Sequence, residues 1–474
     1  MKQIKYYLTC VLLIFNLVII ANSELENLSK STFLSENGYE HLCNSCECPI
    51  EGSDDHIVDC ANKDIEFIDN PVKFPQYIYE VTFKGNKIKD FSNEMLEEGS
   101  KVIILDLSFN SIDIITSSAF SNLKNLRKLI LSHNQIWSIG TSAFDGLNKL
   151  MTIDLSYNMI QDWESSVFLP CTLLKEFNLK YNPIINGLRE DSFEHLTQLE
   201  TLNLENTGLS DLPNGIFKYN QRLKYLYLAG NSFKTVPNQA IQMAKSLFLL
   251  DLSATQLNDI KYDDFKELSQ LGILRLESIP TLEKIHANAF QDLYNLLSFY
   301  CNNNYNLKAI DPRAFTNNLT GEIISLQTIN MRSNSIRNIK YEMLKWTSLE
   351  HIELMNNPWK CDCELKWMIE NDAKTIKSQV KCAYPSRLSG KFIDSLTVDD
   401  LICTNLLQGD SLLVSLLLFI IITTLGFTGL LYFLISHHYY FGCKYLFRKK
   451  SPNYIRVVAS KEKVELEWDH SAEP

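Results

Sequence analysis

Residues 102–112 read VIILDLSFNSI. Val102, Leu105, Leu107, Asn110 and Ile112 fit the template L-x-x-L-x-L-x-x-N-x-L. The template fits again at Leu126, Leu129, Leu131, Asn134 and Ile136, and then at Leu150, Ile153, Leu155, Asn158 and Ile160. Its first apolar position recurs at 78, 102, 126, 150, 174, 199, 223, 247, 271, 296, 326 and 349. Twelve units in register predict a solenoid, because no single unit can bury its apolar face alone. The alternating apolar residues of each unit predict a short strand with one face inward. Stacked about 4.8 Å apart, those strands make a parallel sheet. The expected form is an α/β horseshoe with the sheet on its concave face.

Two further columns keep the same register. Asn86, Asn110, Asn134, Asn158, Asn182, Asn231, Asn304, Asn334 and Asn357 stand where the chain turns out of each strand. Buried backbone groups there need partners, which a carboxamide supplies. Thr207 and Thr255 replace it with a hydroxyl, and Ile279 with nothing polar, so the ladder should be interrupted at Ile279. Phe120, Phe144, Phe168, Phe193, Phe217, Phe265, Phe290 and Phe315 recur once per unit, with Ile241 in the gap. They predict a phenylalanine spine under the convex side.

The ends of the chain carry address signals. Residues 1–23 have Lys2 and Lys5, an apolar run, and small residues Ala21 and Ser23, the pattern of a secretory signal peptide. An uncleaved anchor is the rival, disfavoured by a longer apolar stretch at 411–436. That stretch carries no charge and is long enough for a transmembrane helix. Asp410 precedes it; Lys444, Arg448, Lys449 and Lys450 follow. Positive charge on the cytosolic side predicts a type I plasma-membrane topology with the solenoid outside. The expected order is a signal peptide (1–23), a flexible leader (24–42), an N-terminal cysteine-rich cap (43–77) and the repeats (78–357). A C-terminal cap (358–403), the span (411–436) and a short cytoplasmic tail (437–474) follow.

Cys43, Cys46, Cys48 and Cys60 precede the repeats; Cys361, Cys363, Cys382 and Cys403 follow them. Close cysteine pairs read as zinc ligands in a cytosolic protein, but an oxidising compartment favours disulfides. A solenoid exposes its core at both ends, and caps must cover it. Cys171 and Cys301 remain inside the repeats. They stand five turns apart, about 24 Å at roughly 4.8 Å per strand, so they should not be bonded to each other.

These residues resemble a known group. The repeats are those of leucine-rich-repeat (LRR) proteins. The cluster Cys43, Cys46, Cys48 and Cys60 resembles the N-terminal flanking module of their extracellular members. NNPWKCDCELKW at 356–367, with Cys382, Pro385, Leu388, Gly390 and Cys403, resembles the C-terminal one. The resemblance implies bridges Cys43–Cys48, Cys46–Cys60, Cys361–Cys382 and Cys363–Cys403; spacing alone leaves the connectivity open. Among single-span members the layout is similar to the trophoblast glycoprotein group and the LRR adhesion receptors. Toll-type receptors share the ectodomain pattern, but the residues after the span are too few for their signalling domain.

No catalytic motif stands in a suitable context, so neither an enzyme nor a cofactor is expected. His437 and His438 read as a solvated interfacial pair rather than a metal site. Net charge −11 disfavours a nucleic-acid partner. Function should sit on exposed solenoid surface. The residue before each Asn is Phe109, His133, Tyr157 and Tyr181 in four successive units, expected to share the concave face with Tyr225 and Tyr227. Asp106, Asp154 and Asp251 form a sparse acidic column there. Aromatics make good binding anchors, though they also fill this position in the repeat consensus. The stretch 279–325 is irregular, and its extra residues include the sequon Asn318-Leu319-Thr320; it reads as a functional bulge or a tolerated insertion. Asn27-Leu28-Ser29 is a second glycosylation sequon. In the tail, Cys443 is a candidate for palmitoylation and Tyr454 with Val457 for an endocytic motif.

The functional expectation is a receptor or adhesion protein that binds an extracellular or cell-surface protein, with homophilic or lateral association open to it. The second reading is a co-receptor or inhibitor of a secreted ligand, Wnt-type by resemblance to trophoblast glycoprotein. The third is a membrane-tethered matrix protein.

Overall fold

A computed structural model describes residues 38–68, 71–97, 99–370 and 374–401 and the helix Leu406–Leu446. The signal segment, Asn27, Cys403, Tyr454 and Val457 lie outside the described residues, as do the side chains of His437, His438 and Cys443. Two compact units divide the chain, Met1–Ile402 and Cys403–Pro474.

The first unit is a solenoid built on one parallel sheet of 13 strands in chain order, from Ile57–Asp59 to His351–Glu353. Each strand is three residues long because each unit alternates for only that stretch before its turn. Pairing follows the period: Leu105 lies opposite Leu129, and Leu129 opposite Ile153. The central residue of each strand points inward; Leu105, Leu129 and Ile153 are fully buried. The register survives the 30-residue unit, where Phe299 pairs with Ile329.

The thirteenth strand is one more than the sequence template finds. It comes from the N-terminal cysteine module, where Val58 and Cys60 take the two inward positions. Cysteine in place of leucine hides the template, yet Cys60 donates its N–H to Thr82 O just as Phe83 does to Asp106 O.

The asparagine ladder closes each turn. The Asn158 amide donates to Leu131 O and Leu155 O at 2.9 and 3.0 Å, and its Oδ1 accepts the Ile136 N–H at 3.0 Å. Asn110, Asn134 and Asn182 repeat the pattern. The Thr207 and Thr255 hydroxyls donate to Leu204 O and Leu252 O. At Ile279 the ladder loses a member, and Asn304 of the next turn reaches back to Leu276 O at 2.8 Å.

Behind the sheet, the phenylalanine rings stack from turn to turn. Phe91, Phe120, Phe144 and Phe168 follow one another at centroid distances of 5.3, 6.2 and 5.4 Å. Phe177, at an inward strand position, links Phe168 to Phe193. Ile241 is buried where the spine lacks a ring.

Both open ends of the sheet are covered, as solenoids and edge strands require. At the first strand, Glu47 exchanges two backbone hydrogen bonds with Asp59. Disulfides Cys43–Cys48 and Cys46–Cys60 hold that module. At the last strand, the Gln379 carboxamide accepts the Leu354 N–H at 2.8 Å and donates to Ile352 O at 2.7 Å. Trp359, Leu365, Met368 and Val380 bury the core there, held by Cys361–Cys382. Cys363 is also disulfide-bonded.

The second unit contains the helix Leu406–Leu446. Its stretch Ser415–Ser436 has a mean hydropathy of 2.3 and 22 residues, about 33 Å at roughly 1.5 Å per residue. The hydroxyls of Thr423, Thr424 and Thr428 donate to carbonyls one turn back, leaving no unpaired donor on those side chains.

Candidate functional site

Two surfaces of the solenoid carry aromatic side chains outside its buried core. The first is the edge where the chain leaves each strand. The residue before the ladder Asn adopts a left-handed backbone in turn after turn: Gly85, Phe109, His133, Tyr157, Tyr181, Asn206, Gly230, Ala254, Ser278, Asn303, Ser333 and Asn356 all have φ between +53° and +72°. Glycine and asparagine suit that conformation; a bulky residue costs about 1–2 kcal/mol there. Four consecutive turns nevertheless carry rings.

Those rings stack on one another. Phe109–His133, His133–Tyr157 and Tyr157–Tyr181 lie at centroid distances of 4.1, 4.1 and 4.5 Å, all within 13° of parallel. Each such contact is worth about 0.5–1.5 kcal/mol, so three return roughly 1.5–4.5 kcal/mol against a backbone cost of roughly 4–8 kcal/mol for four residues. Stacking returns much of that strain, and Phe109, Tyr157 and Tyr181 stay exposed to solvent. Lys84 Nζ lies 5.5 Å over the Phe109 ring and Lys180 Nζ 5.6 Å over the Tyr157 ring.

The position of this column differs from the sequence expectation. Phe109 stands three residues past the strand Ile104–Asp106, on the exit edge rather than the strand face. The left-handed turn carries the side chain out of the pleat. Tyr225 and Tyr227 do lie in a strand, so the six aromatics form two surfaces, not one.

The second surface is the open sheet face around Tyr225–Tyr227. Tyr225 meets Phe248 edge-on at 6.3 Å, and Arg275 lies 4.9 Å over the Tyr300 ring. Phe248 lies over Gly272, where an added Cβ would collide with its ring. Burial pushes the Tyr227 hydroxyl above its usual pKa, against the pull of Arg275. Burial also raises the Glu277 carboxyl, with Arg275 opposing it. The acidic column is partly engaged: Asp106, Asp154 and Asp251 each accept the N–H two residues on.

The other candidate residues fall outside both surfaces. Asn318 is exposed beside a tight loop in which Asn317 Oδ1 accepts the N–H groups of Leu319 and Thr320. Cys171 and Cys301 are free, buried thiols, pushed up to about 12 by burial. Among the described residues, no group of His, Cys, Asp and Glu is arranged to hold a metal ion. Sequence reasoning missed Gln379, whose role depends on a contact 25 residues away. It also missed Trp137, Met159 and Ile185, 55%, 56% and 69% exposed beyond the ladder asparagines.

Comparison with known proteins agrees with this architecture. Residues 77–136, 124–184 and 197–257 match the leucine rich repeat model, and 234–360 match the BspA type leucine rich repeat region. Trophoblast glycoprotein of Mus musculus is 24% identical over 187 residues, 38% of this chain and 31% of that protein. The match thus spans about a third of that relative's length. Tsukushi of Gallus gallus is 27% identical over 328 residues, 66% of this chain and 78% of the relative. Among solved structures, a chain from an octameric complex of Latrophilin 3, Unc5D and FLRT2 (LRR) superposes with a TM-score of 0.54 at 22% identity, covering 76% of this chain and 99% of that one. With the register, the ladder and the two family models in agreement over most of the solenoid, the chain belongs to the leucine-rich-repeat proteins.

Proposed function

We propose that this chain is a single-pass membrane receptor or adhesion protein that binds another protein through its solenoid. Residues 1–23 are its signal peptide, 411–436 its membrane span and 437–474 its cytoplasmic tail. The solenoid faces the oxidising side, where its cysteine modules keep their bridges. The resemblance to trophoblast glycoprotein supports the membrane-bound reading, as does the apolar helix Ser415–Ser436.

One observation carries the binding reading. Tyr225, Tyr227, Phe248, Arg275 and Tyr300 gather on the open sheet face, with Phe248 and the neighbouring Leu297 36% and 39% exposed. Tyrosine and arginine in a partly desolvated cluster are the composition of binding hot spots. Nothing in the repeat template calls for rings at these outward positions.

The test displays the full-length chain on cells and probes it with multimerised secreted and cell-surface proteins, this chain included. Multimers compensate for weak single contacts. Binding that falls about tenfold or more with Tyr227→Ser plus Arg275→Glu is expected. Binding to this chain or another membrane protein marks adhesion; binding to a soluble factor marks a co-receptor. A surface-displayed chain that binds nothing, or binds equally well without Tyr227 and Arg275, refutes the reading.

A further inference from the structure

The exit edge of the third to sixth sheet strands is a second surface, distinct from the open face. Along the chain that leaves each strand, outward and inward positions alternate. In the turn of Tyr157, residues 157, 159 and 161 are exposed while 158 and 160 are buried. The ring ladder therefore continues outward into the next exposed positions, where Trp137, Met159 and Ile185 stand. The other such positions of these four turns hold Ser111, Asp113, Gln135, Gln161 and Pro183, so the strip is interrupted by polar residues, and it ends on both sides. The preceding turn has Lys87 and Lys89 in these positions, and the following one Gly208 and Ser210. An exposed apolar strip of this kind, rimmed by polar residues, marks an interaction site.

Its electrostatics select the partner. His133 and Tyr157 have a stacked ring on each face, while Phe109 and Tyr181, at the ends of the stack, have one each. Lys84 stands beyond Phe109 at one end, Lys180 belongs to the last turn of the strip with its ammonium over the Tyr157 ring, and neither makes an ion pair among the described residues. Between them in the same column lie the buried Ser108, Ser132 and Ser156, and the Asp106 and Asp154 carboxylates accept the N–H groups of Ser108 and Ser156, so negative charge lies along the middle of the row and positive charge at its ends. Four strand steps separate the lysines, about 19 Å at roughly 4.8 Å per strand.

We propose that this strip binds a short extended segment of another protein, apolar in its middle and acidic at both ends. About 19 Å is the reach of some six extended residues at roughly 3.3 Å each. The carboxylates meet Lys84 and Lys180; the apolar side chains lie on the ring edges and on Trp137, Met159 and Ile185. This surface is independent of Tyr227 and Arg275, so the two readings stand or fall separately.

The test pans a phage library of about seven random residues on the full-length chain in detergent micelles. Parallel selections use Lys84→Glu/Lys180→Glu, Tyr157→Asn/Trp137→Ser and Tyr227→Ser/Arg275→Glu. Asparagine suits the left-handed backbone at 157, and circular dichroism checks that every variant is folded. The wild-type chain and the Tyr227/Arg275 variant are expected to enrich acid-ended apolar peptides about tenfold over the starting library. The charge-reversed chain should enrich basic-ended ones instead, and the Tyr157/Trp137 variant neither. No enrichment on the wild type, or the same peptides on all four chains, overturns the proposal. So does self-association of the wild-type chain that Trp137→Ser abolishes without any peptide enrichment, which would make a second copy the occupant.

Discussion

Removing two neighbouring ladder asparagines should cost more than the sum of removing each. The amide of Asn134 donates to Leu107 O and Leu131 O; that of Asn158 donates to Leu131 O and Leu155 O. Leu131 O therefore has two donors. In Asn158→Ala, Leu131 O keeps Asn134 and Leu155 O keeps Asn182. Only the Ile136 N–H is orphaned. An unsatisfied buried donor costs about 1–3 kcal/mol, and that is the expected cost of each single change. In Asn134→Ala/Asn158→Ala, the Ile112 and Ile136 N–H groups are orphaned and Leu131 O loses both donors. The double variant should exceed the sum of the singles by a further 1–3 kcal/mol, roughly. The pair Asn110 and Asn158 shares no carbonyl and should be additive. Because solenoids open locally, the assay is native-state hydrogen exchange of the full-length chain, read at residues 131–136. Additivity of the neighbouring pair within about 0.5 kcal/mol would refute the shared-donor account.

Gln379→Ala should leave the Leu354 N–H and Ile352 O unpaired at the last strand. Exchange at 351–354 should speed up by an opening cost of about 1–3 kcal/mol, with more concentration-dependent aggregation from the uncovered edge. Glu277 has its folded pKa raised by burial, so the stability it contributes is full below its unfolded value of about 4.3 and is lost as pH rises through the folded value. Glu277→Gln should therefore stabilise the chain at neutral pH and change little near pH 4, which thermal melts at the two pH values decide. The buried thiols of Cys171 and Cys301, at about 12, should resist iodoacetamide in the folded chain and react once it is unfolded; peptide mapping reads both. Tyr157→Asn should lower thermal stability by no more than about 2 kcal/mol, since two ring contacts are lost while backbone strain is relieved; a larger loss would make the ladder structural.

The parts of the fold legible in the sequence are those where one residue type answers one physical demand in every turn. Leucine buries, asparagine closes the backbone, phenylalanine fills the layer behind the sheet; each demand recurs with the period and so prints a column. Where two residue types can meet the same demand, the column breaks. Val58 and Cys60 hide a whole strand because a bridged cysteine buries as well as leucine does. Gln379 is invisible for the opposite reason: its demand occurs once, at an edge, and nothing repeats it. The ring ladder is a third case. Its column was legible, but its place was not, because left-handed φ is a backbone property that glycine and asparagine announce and tyrosine conceals. Gly85, Asn206, Gly230, Asn303 and Asn356 in the same column, read together with Phe109 and Tyr157, mark the position as a turn and the rings as departures from it. A repeat protein thus supplies its own reference. A side chain that meets the column's demand belongs to the fold. One that departs from it, four times in succession and with solvent at hand, is the place to test for a role beyond the fold.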